Sequence, residues 1–294
     1  MSPDKRDDPF LAGSLWNSVV DRSKQALAQR ALQPIPTTLE VIRDGHAEFH
    51  LRVLSHLEEK PVERQQQPAD FNPFLPYDPA LFVADISDTH VALLNKYNVV
   101  EHHLLVVTRE FEAQTSRLKQ ADFGAVARCL FEYPALAFYN SGVEAGASQS
   151  HKHLQLLPLH QRGNIMPLEP LLQVEQFTGD SPDQFPVLGF EHRLFHLAAT
   201  DKVEALESQL IQAYESSLAS LDWKQIDGTV PYNLLVTREW MLMVPRRSES
   251  FHAISLNAMA FAGSFFVKNQ ADRELLIAEG PLNALRSVSQ PSAS

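Results

Sequence analysis

Residues 136–157 run as an apolar strand, a loop of glycines and hydroxyl groups, and a second strand, and this unit constrains the rest of the chain more than any other. Leu-Ala-Phe-Tyr-Asn at 136–140 leads into the loop, and His151-x-His153-x-Gln155 opens the strand 151–157 that leaves it. Side chains two apart on a strand share a face, so His151, His153 and Gln155 are predicted to form a row on one side of a sheet. Between the strands lie Gly142, Gly146, Ser148, Gln149 and Ser150. Glycines let backbone N–H groups approach an anion closely, and serine hydroxyls add donors. A donor-rich loop beside a row of imidazoles suits chemistry on phosphorus. There a ring nitrogen can attack a phosphoryl group and hold it covalently, dividing one difficult displacement into two.

Gln155 narrows that chemistry. A histidine at its place could protonate a leaving group or activate water. A neutral amide only donates and accepts hydrogen bonds. The site therefore favours a leaving group that needs little protonation, such as a nucleoside polyphosphate, and favours transfer over hydrolysis.

The surrounding sequence predicts an α+β fold, an antiparallel sheet with helices packed on one side. Residues 10–32 have helical spacing and stop at Pro34 and Pro36. Residues 39–54 read as two strands about Asp44-Gly45, and 58–79 as a long connecting loop. Short strands are expected at 81–85, 89–95 and 104–108, and a helix at 120–133 that carries Cys129 as a packing residue. His102 and His103 straddle the two faces of a strand, so at most one points inward, and both are read as structural. A proline-bearing, weakly periodic stretch at 165–185 is the expected hinge between two halves, 1–164 and 165–294. Beyond it come a strand at 190–197, a helix at 202–221, a hairpin of 232–237 with 240–245, and helices at 257–267 and 272–280. The polar tail 287–294 is expected to fray.

Composition excludes several classes. The 25 basic and 36 acidic side chains leave a formal charge of −11, which argues against a broad nucleic-acid-binding face. One cysteine rules out an intramolecular disulfide framework and fits a reducing compartment. No apolar run reaches the roughly 18 residues of a membrane span, and the amino terminus does not read as a secretory signal. The cytoplasm is the expected location. Alternating histidines can chelate zinc, but there is no Cys-x-x-Cys, and His160 and His102-His103 lie in separate segments.

The segment Gly146-Ala-Ser-Gln-Ser-His-Lys-His-Leu-Gln155 resembles the active-site segment of diadenosine tetraphosphate phosphorylases, also called ATP adenylyltransferases. That family lies in the histidine-triad superfamily, on the branch with hexose-1-phosphate uridylyltransferases. Asn95-Lys96-Tyr-Asn-Val-Val-Glu101-His-His103-Leu-Leu-Val-Val-Thr108 resembles its upstream nucleotide-contacting strand. Tyr232-Asn233-Leu-Leu-Val-Thr237-Arg238-Glu-Trp240-Met-Leu-Met243-Val-Pro-Arg246 resembles its carboxy-terminal signature. The resemblance implies two histidine-triad-like halves around one active site. It makes His153 the nucleophile, with the carbonyl of His151 orienting it and Gln155 bonding the phosphoryl oxygens. It also assigns Gly146, Ala147, Ser148 and Gln149 to the polyphosphate, and Lys60, Asn95, Lys96, Asn140, Asn233, Met243 and Arg246 to other substrate contacts.

The reaction so implied is cleavage of diadenosine tetraphosphate by orthophosphate to ATP and ADP, reversibly, through an adenylyl-histidine. No cofactor is obligatory; any metal is expected to be Mg²⁺ travelling with the polyphosphate. The expected partners are a dinucleoside polyphosphate and phosphate, with neither nucleic acid nor membrane, in a monomer or small homo-oligomer. Three rivals stand beside this reading, and the first, a hydrolase that uses water as acceptor, is opposed by Gln155. A hexose-1-phosphate uridylyltransferase is opposed by the missing zinc cysteines and by Ser-Gln-Ser before His151. A dinucleotide sensor without turnover is separable by replacing His153.

Overall fold

A computed structural model describes residues 12–54, 71–159, 166–172, 188–221 and 230–291. One antiparallel sheet of eight strands organises the chain. In sequence these are β3 (Phe82–Asp85), β4 (His90–Leu94), β5 (Leu104–Thr108), β6 (Ala135–Asn140), β7 (His153–Pro158), β8 (Arg193–His196), β9 (Tyr232–Val236) and β10 (Trp240–Pro245). In space they run β3-β4-β5-β7-β6-β9-β10-β8. The first and second halves of the chain meet at β6 and β9, where Asn140 pairs with Asn233.

The α+β expectation holds. Every central strand buries both faces, and alternation assigns each side chain to one of the sheet's two sides. Leu104, Val106, Leu154, Leu156, Leu234, Met241 and Met243 face three helices, α1 (Leu15–Ala28), α2 (Gln120–Glu132) and α3 (Val203–Ser220). Cys129 is buried there, as a packing residue of α2.

The opposite face is divided. Over the second half's strands lies a small sheet, β1 (Thr37–Asp44), β2 (Ala47–Leu54) and β11 (Ser264–Val267). It is joined there by short helices α4 (Ala258–Phe261), α5 (Gln270–Glu279) and α6 (Pro281–Val288). Over the first half's strands, Phe74 and its loop cover Val91, Leu93, Leu105 and Val107. Between these two covers the sheet face is left open.

Three local expectations are corrected. The helix expected at 257–267 is one turn, α4, ended at Gly263 with φ +96°, and the residues after it pair parallel with β2. Phe265 and Val267 thereby reach the core, a tertiary gain that outweighs the apolar helical spacing. The tail is not frayed at its start, since Val288 and Ser289 are fully buried and Ser289 bridges Arg246. The strand expected from residue 151 begins at His153. The hinge expected at 165–185 lies largely outside the described residues, as does the boundary at 164. Its described part packs Met166 and Leu168 into the core.

Candidate active site

The site grows from a fork between β6 and β7. The two strands pair as far as Phe138 with Gln155, then separate, so Asn140 and His153 do not bond each other. The carboxamide of Gln114 fills the gap. Its Oε1 accepts from His153 N–H at 2.9 Å, while its Nε2 donates to the carbonyls of Asn140 at 2.8 Å and His153 at 3.2 Å. One side chain thus replaces the next step of the strand ladder. Residues 112–114 then take over the pairing with 150–152, through Lys152 N–H to Glu112 O at 2.7 Å and Gln114 N–H to Ser150 O at 2.7 Å. Lys152, the residue between the two histidines, turns to the other face. There its buried Nζ bonds Glu112 at 2.8 Å, Arg117 O at 3.1 Å and Asp122 at 3.3 Å. Neither Gln114 nor the Lys152 cluster carried a motif signal, because their partners lie 26 or more residues away in sequence.

His153 is held in one tautomer. Its Nδ1 lies 2.8 Å from the carbonyl of His151, an atom that can only accept, so Nδ1 carries the hydrogen and Nε2 the lone pair. Burial pushes its pKa down to about 4, the bond to His151 O opposing that shift, and the ring is neutral at physiological pH. The Phe74 ring lies 5.4 Å away. The side chain of His151 does not complete the expected row. Its Nε2 donates to Thr108 O at 2.8 Å and its Nδ1 accepts from Asn72 Nδ2 at 3.0 Å, tying the 71–77 loop to the sheet.

His153 and Gln155 open onto a cavity of about 460 Å³. One wall is apolar, built from Phe71, Phe74, Tyr77, Leu81, Leu93 and Leu105. The polar wall holds Asn95, Lys96, Ser148, Gln149, His153 and Gln155, six residues expected from the sequence and brought together here. An apolar wall facing a wall of donors fits a nucleoside and its phosphates.

The remaining expected contacts lie elsewhere. Gly146 and Ala147 give their N–H groups to Val143 O and Gly142 O inside the loop, leaving Ser148 and Gln149 at the cavity. Gly146, at φ +83°, is needed for close approach, since a Cβ there would sit 2.6 Å from Leu256 O. Asn140, Asn233 and Arg246 form a buried chain beneath the loop rather than a substrate surface. Asn233 Nδ2 donates to Asn140 Oδ1 and Ala145 O, each at 2.8 Å, and Arg246 donates to Asn233 Oδ1 at 2.5 Å. Arg246 also donates to four backbone carbonyls, those of Ser248, Glu249, Leu256 and Val288. Met243 is on the helix-covered face, the wrong side of the sheet for a substrate contact, because odd positions of β10 point away from His153. Lys60 lies outside the described residues. Among the described residues no cluster of three or more His, Cys, Asp or Glu could hold a metal ion. No described helix is long and apolar enough to cross a membrane.

Comparison with known proteins places this geometry in context. Residues 5–174 match the family model of the Ap4A phosphorylase N-terminal domain, and residues 186–291 that of the ATP adenylyltransferase C-terminal domain. Protein APA1 of Saccharomyces cerevisiae is 28% identical over 289 residues, 88% of each chain. Diadenosine 5',5'''-P1,P4-tetraphosphate phosphorylase 2 of the same yeast is 30% identical over 212 residues, 63% of each chain. The crystal structure of yeast Ap4A phosphorylase Apa2 has the same fold, with a TM-score of 0.80 at 24% identity over 97% of both chains. Its complex with Ap4A gives 0.81 at 22% identity, over 97% of this chain and 100% of that one.

Proposed function

The chain belongs to the Ap4A phosphorylase family of ATP adenylyltransferases and is a nucleotidyltransferase; from that premise we propose that it cleaves diadenosine tetraphosphate with orthophosphate through an adenylylated His153. The observation that carries the proposal is the bond from His153 Nδ1 to His151 O, which turns a neutral Nε2 lone pair towards a donor-lined cavity.

In the first step Nε2 attacks the α-phosphorus of one adenosine. The N–P bond forms, the bond from that phosphorus to the bridging oxygen breaks, and ATP departs with the electron pair. In the second step an oxygen of orthophosphate displaces Nε2 from the AMP moiety, giving ADP and free His153. Lys96, Ser148, Gln149 and the amide of Gln155 supply the charge and donors for the equatorial oxygens. Gln155 has no useful proton for a leaving group and no basicity towards water, which supports phosphate rather than water as acceptor. Each step is a displacement at the same phosphorus, so synthesis of the dinucleotide from ATP and ADP runs along the same path. A divalent ion would enter on the polyphosphate oxygens, and the working compartment is the cytoplasm.

Incubation with diadenosine tetraphosphate and labelled phosphate tests the reading. Label is expected in ADP, and without phosphate one equivalent of ATP is released as AMP stays on the protein. Label in no nucleotide, or two-product formation independent of phosphate, refutes it. His153→Ala is expected to abolish both steps while binding persists; a sensor would bind the dinucleotide and show no turnover even in the wild type.

A further inference from the structure

We infer that His103 is a positioning residue that sets the direction of the Gln155 carboxamide, so that its NH₂ and not its oxygen faces the reacting phosphoryl group. This rests on the reaction proposed above.

A carboxamide has nearly the same shape in either orientation, so packing alone does not choose between them. Here the choice is made by a chain of three side chains anchored on a backbone donor. Tyr97 N–H can only donate, and it points at Asn95 Oδ1 from 3.3 Å. The NH₂ of Asn95 is thereby turned to His103 Nδ1, 3.2 Å away. Nδ1 must accept, so the hydrogen of the neutral ring is on Nε2. That nitrogen lies 3.0 Å from Gln155 Oε1, which accepts from it. The oxygen of Gln155 is thus engaged away from the phosphate, and its NH₂ is left for the cavity that Gln155 lines.

The relay needs an uncharged imidazole, because an imidazolium would set Nδ1–H against the NH₂ of Asn95. Burial holds the His103 pKa down to about 4, the bond to Gln155 opposing and the His153 ring reinforcing that shift. The His103 ring is fixed at 5.9 Å from Phe138 on the same face. Asn95 and His103 flank the β4–β5 connection, and Asn95 N–H bonds His103 O at 2.9 Å, so the backbone locks the two side chains in register. Asn95 therefore acts through His103. A Gln155 free to turn would present its carbonyl oxygen to the phosphoryl oxygens, replacing a donor with a repulsive contact in both transition states.

Two measurements test this. Nitrogen-15 NMR of histidine-labelled wild-type protein reads the tautomer directly, and His103 is expected as neutral Nε2–H at neutral pH. Finding Nδ1–H or an imidazolium overturns the inference whatever the activity. Steady-state and single-turnover cleavage of diadenosine tetraphosphate is then compared in H103F, which keeps the ring volume without the donor, and H103Q, whose amide can again accept from Asn95 and donate to Gln155. Loss of one donor at a developing charge is worth roughly 10²-fold in kcat. H103F is expected to lose that factor with KM changed by less than about threefold, and H103Q to recover most of it. Equal impairment of both variants, or unchanged kcat in H103F, overturns the inference. If the wild type itself fails to form ATP and ADP, the reaction proposed above fails instead, and the tautomer result still stands alone.

Discussion

Replacing Gln114 with methionine keeps the unbranched shape of the side chain and deletes both its donor and its acceptor. Three bonds go with it, to His153 N–H, Asn140 O and His153 O, all buried. Asn140 O keeps the N–H of Gly142 at 3.1 Å, so the orphaned groups are His153 N–H and His153 O, at about 1–3 kcal/mol each, and a fork that stays open is destabilised by about 2–6 kcal/mol. That is near the upper end for one substitution. The strands have one escape. Continued pairing from Phe138 with Gln155 brings Asn140 opposite His153, and the fork can zip to the usual spacing of about 4.8 Å. Zipping would restore a bond and spare stability, but it would drag the His153 backbone and narrow the entry to the 141–150 loop. On either course the His153 ring moves, and for a reacting group a displacement of about 1 Å costs on the order of 10²-fold in rate. Urea denaturation and phosphate-dependent release of ATP and ADP measure the two quantities. A Q114M protein with wild-type urea midpoint and kcat within about threefold would refute the wedge.

Acid should weaken the fold through His153. Its folded pKa of about 4 lies below the usual 6.5, so the unfolded chain binds more protons between those values. That stability is present above pH 6.5 and is lost as pH falls towards 4, by about 3 kcal/mol; a denaturation series in which H153N shows the same slope as wild type refutes it. Gly146→Ala forces a Cβ to 2.6 Å from Leu256 O at a positive φ and is expected to cost about 2–3 kcal/mol, read as a lower urea midpoint. Arg246→Lys removes most of a guanidinium's bonds to buried carbonyls and is expected to cost about 3 kcal/mol or more, whereas Met243→Leu should leave kcat unchanged and stability within about 1.5 kcal/mol. A selective rise in KM for Met243→Leu would restore it as a substrate contact.

The buried residues beneath the loop explain why signature positions need not touch substrate. Asn140 and Asn233 are register partners across the seam between the two halves, and Arg246 closes the chain from the next strand. Burial pushes the Arg246 pKa down to about 10, still leaving it charged, and its charge is neutralised by carbonyl dipoles. Residues that hold a ligand-facing loop in place are as constrained chemically as those that touch the ligand. A motif read along the chain cannot separate the two roles.

What the amino-acid order determined by itself was local. The two-residue period of His153 and Gln155, the turns at Asp44-Gly45 and Arg238-Glu239, and the helical spacing of 120–133 and 202–221 depend on neighbours within a few residues, and each is found near its expected place. Tertiary structure alone decided the rest. Which face of β10 meets the site depends on pairing with β9 and β8, so Met243 could be assigned only once the sheet was complete. Residues 264–267 became a strand because β2 offered an edge more than 200 residues earlier in the chain. Gln114 and His103 acquired their roles from partners 39 and 52 residues away, through hydrogen bonds whose directions exist only when the strands are in register. Periodicity reports which residues are apolar neighbours on one element; it carries no information on which distant donor meets which acceptor, and at this site that matching positions the chemistry.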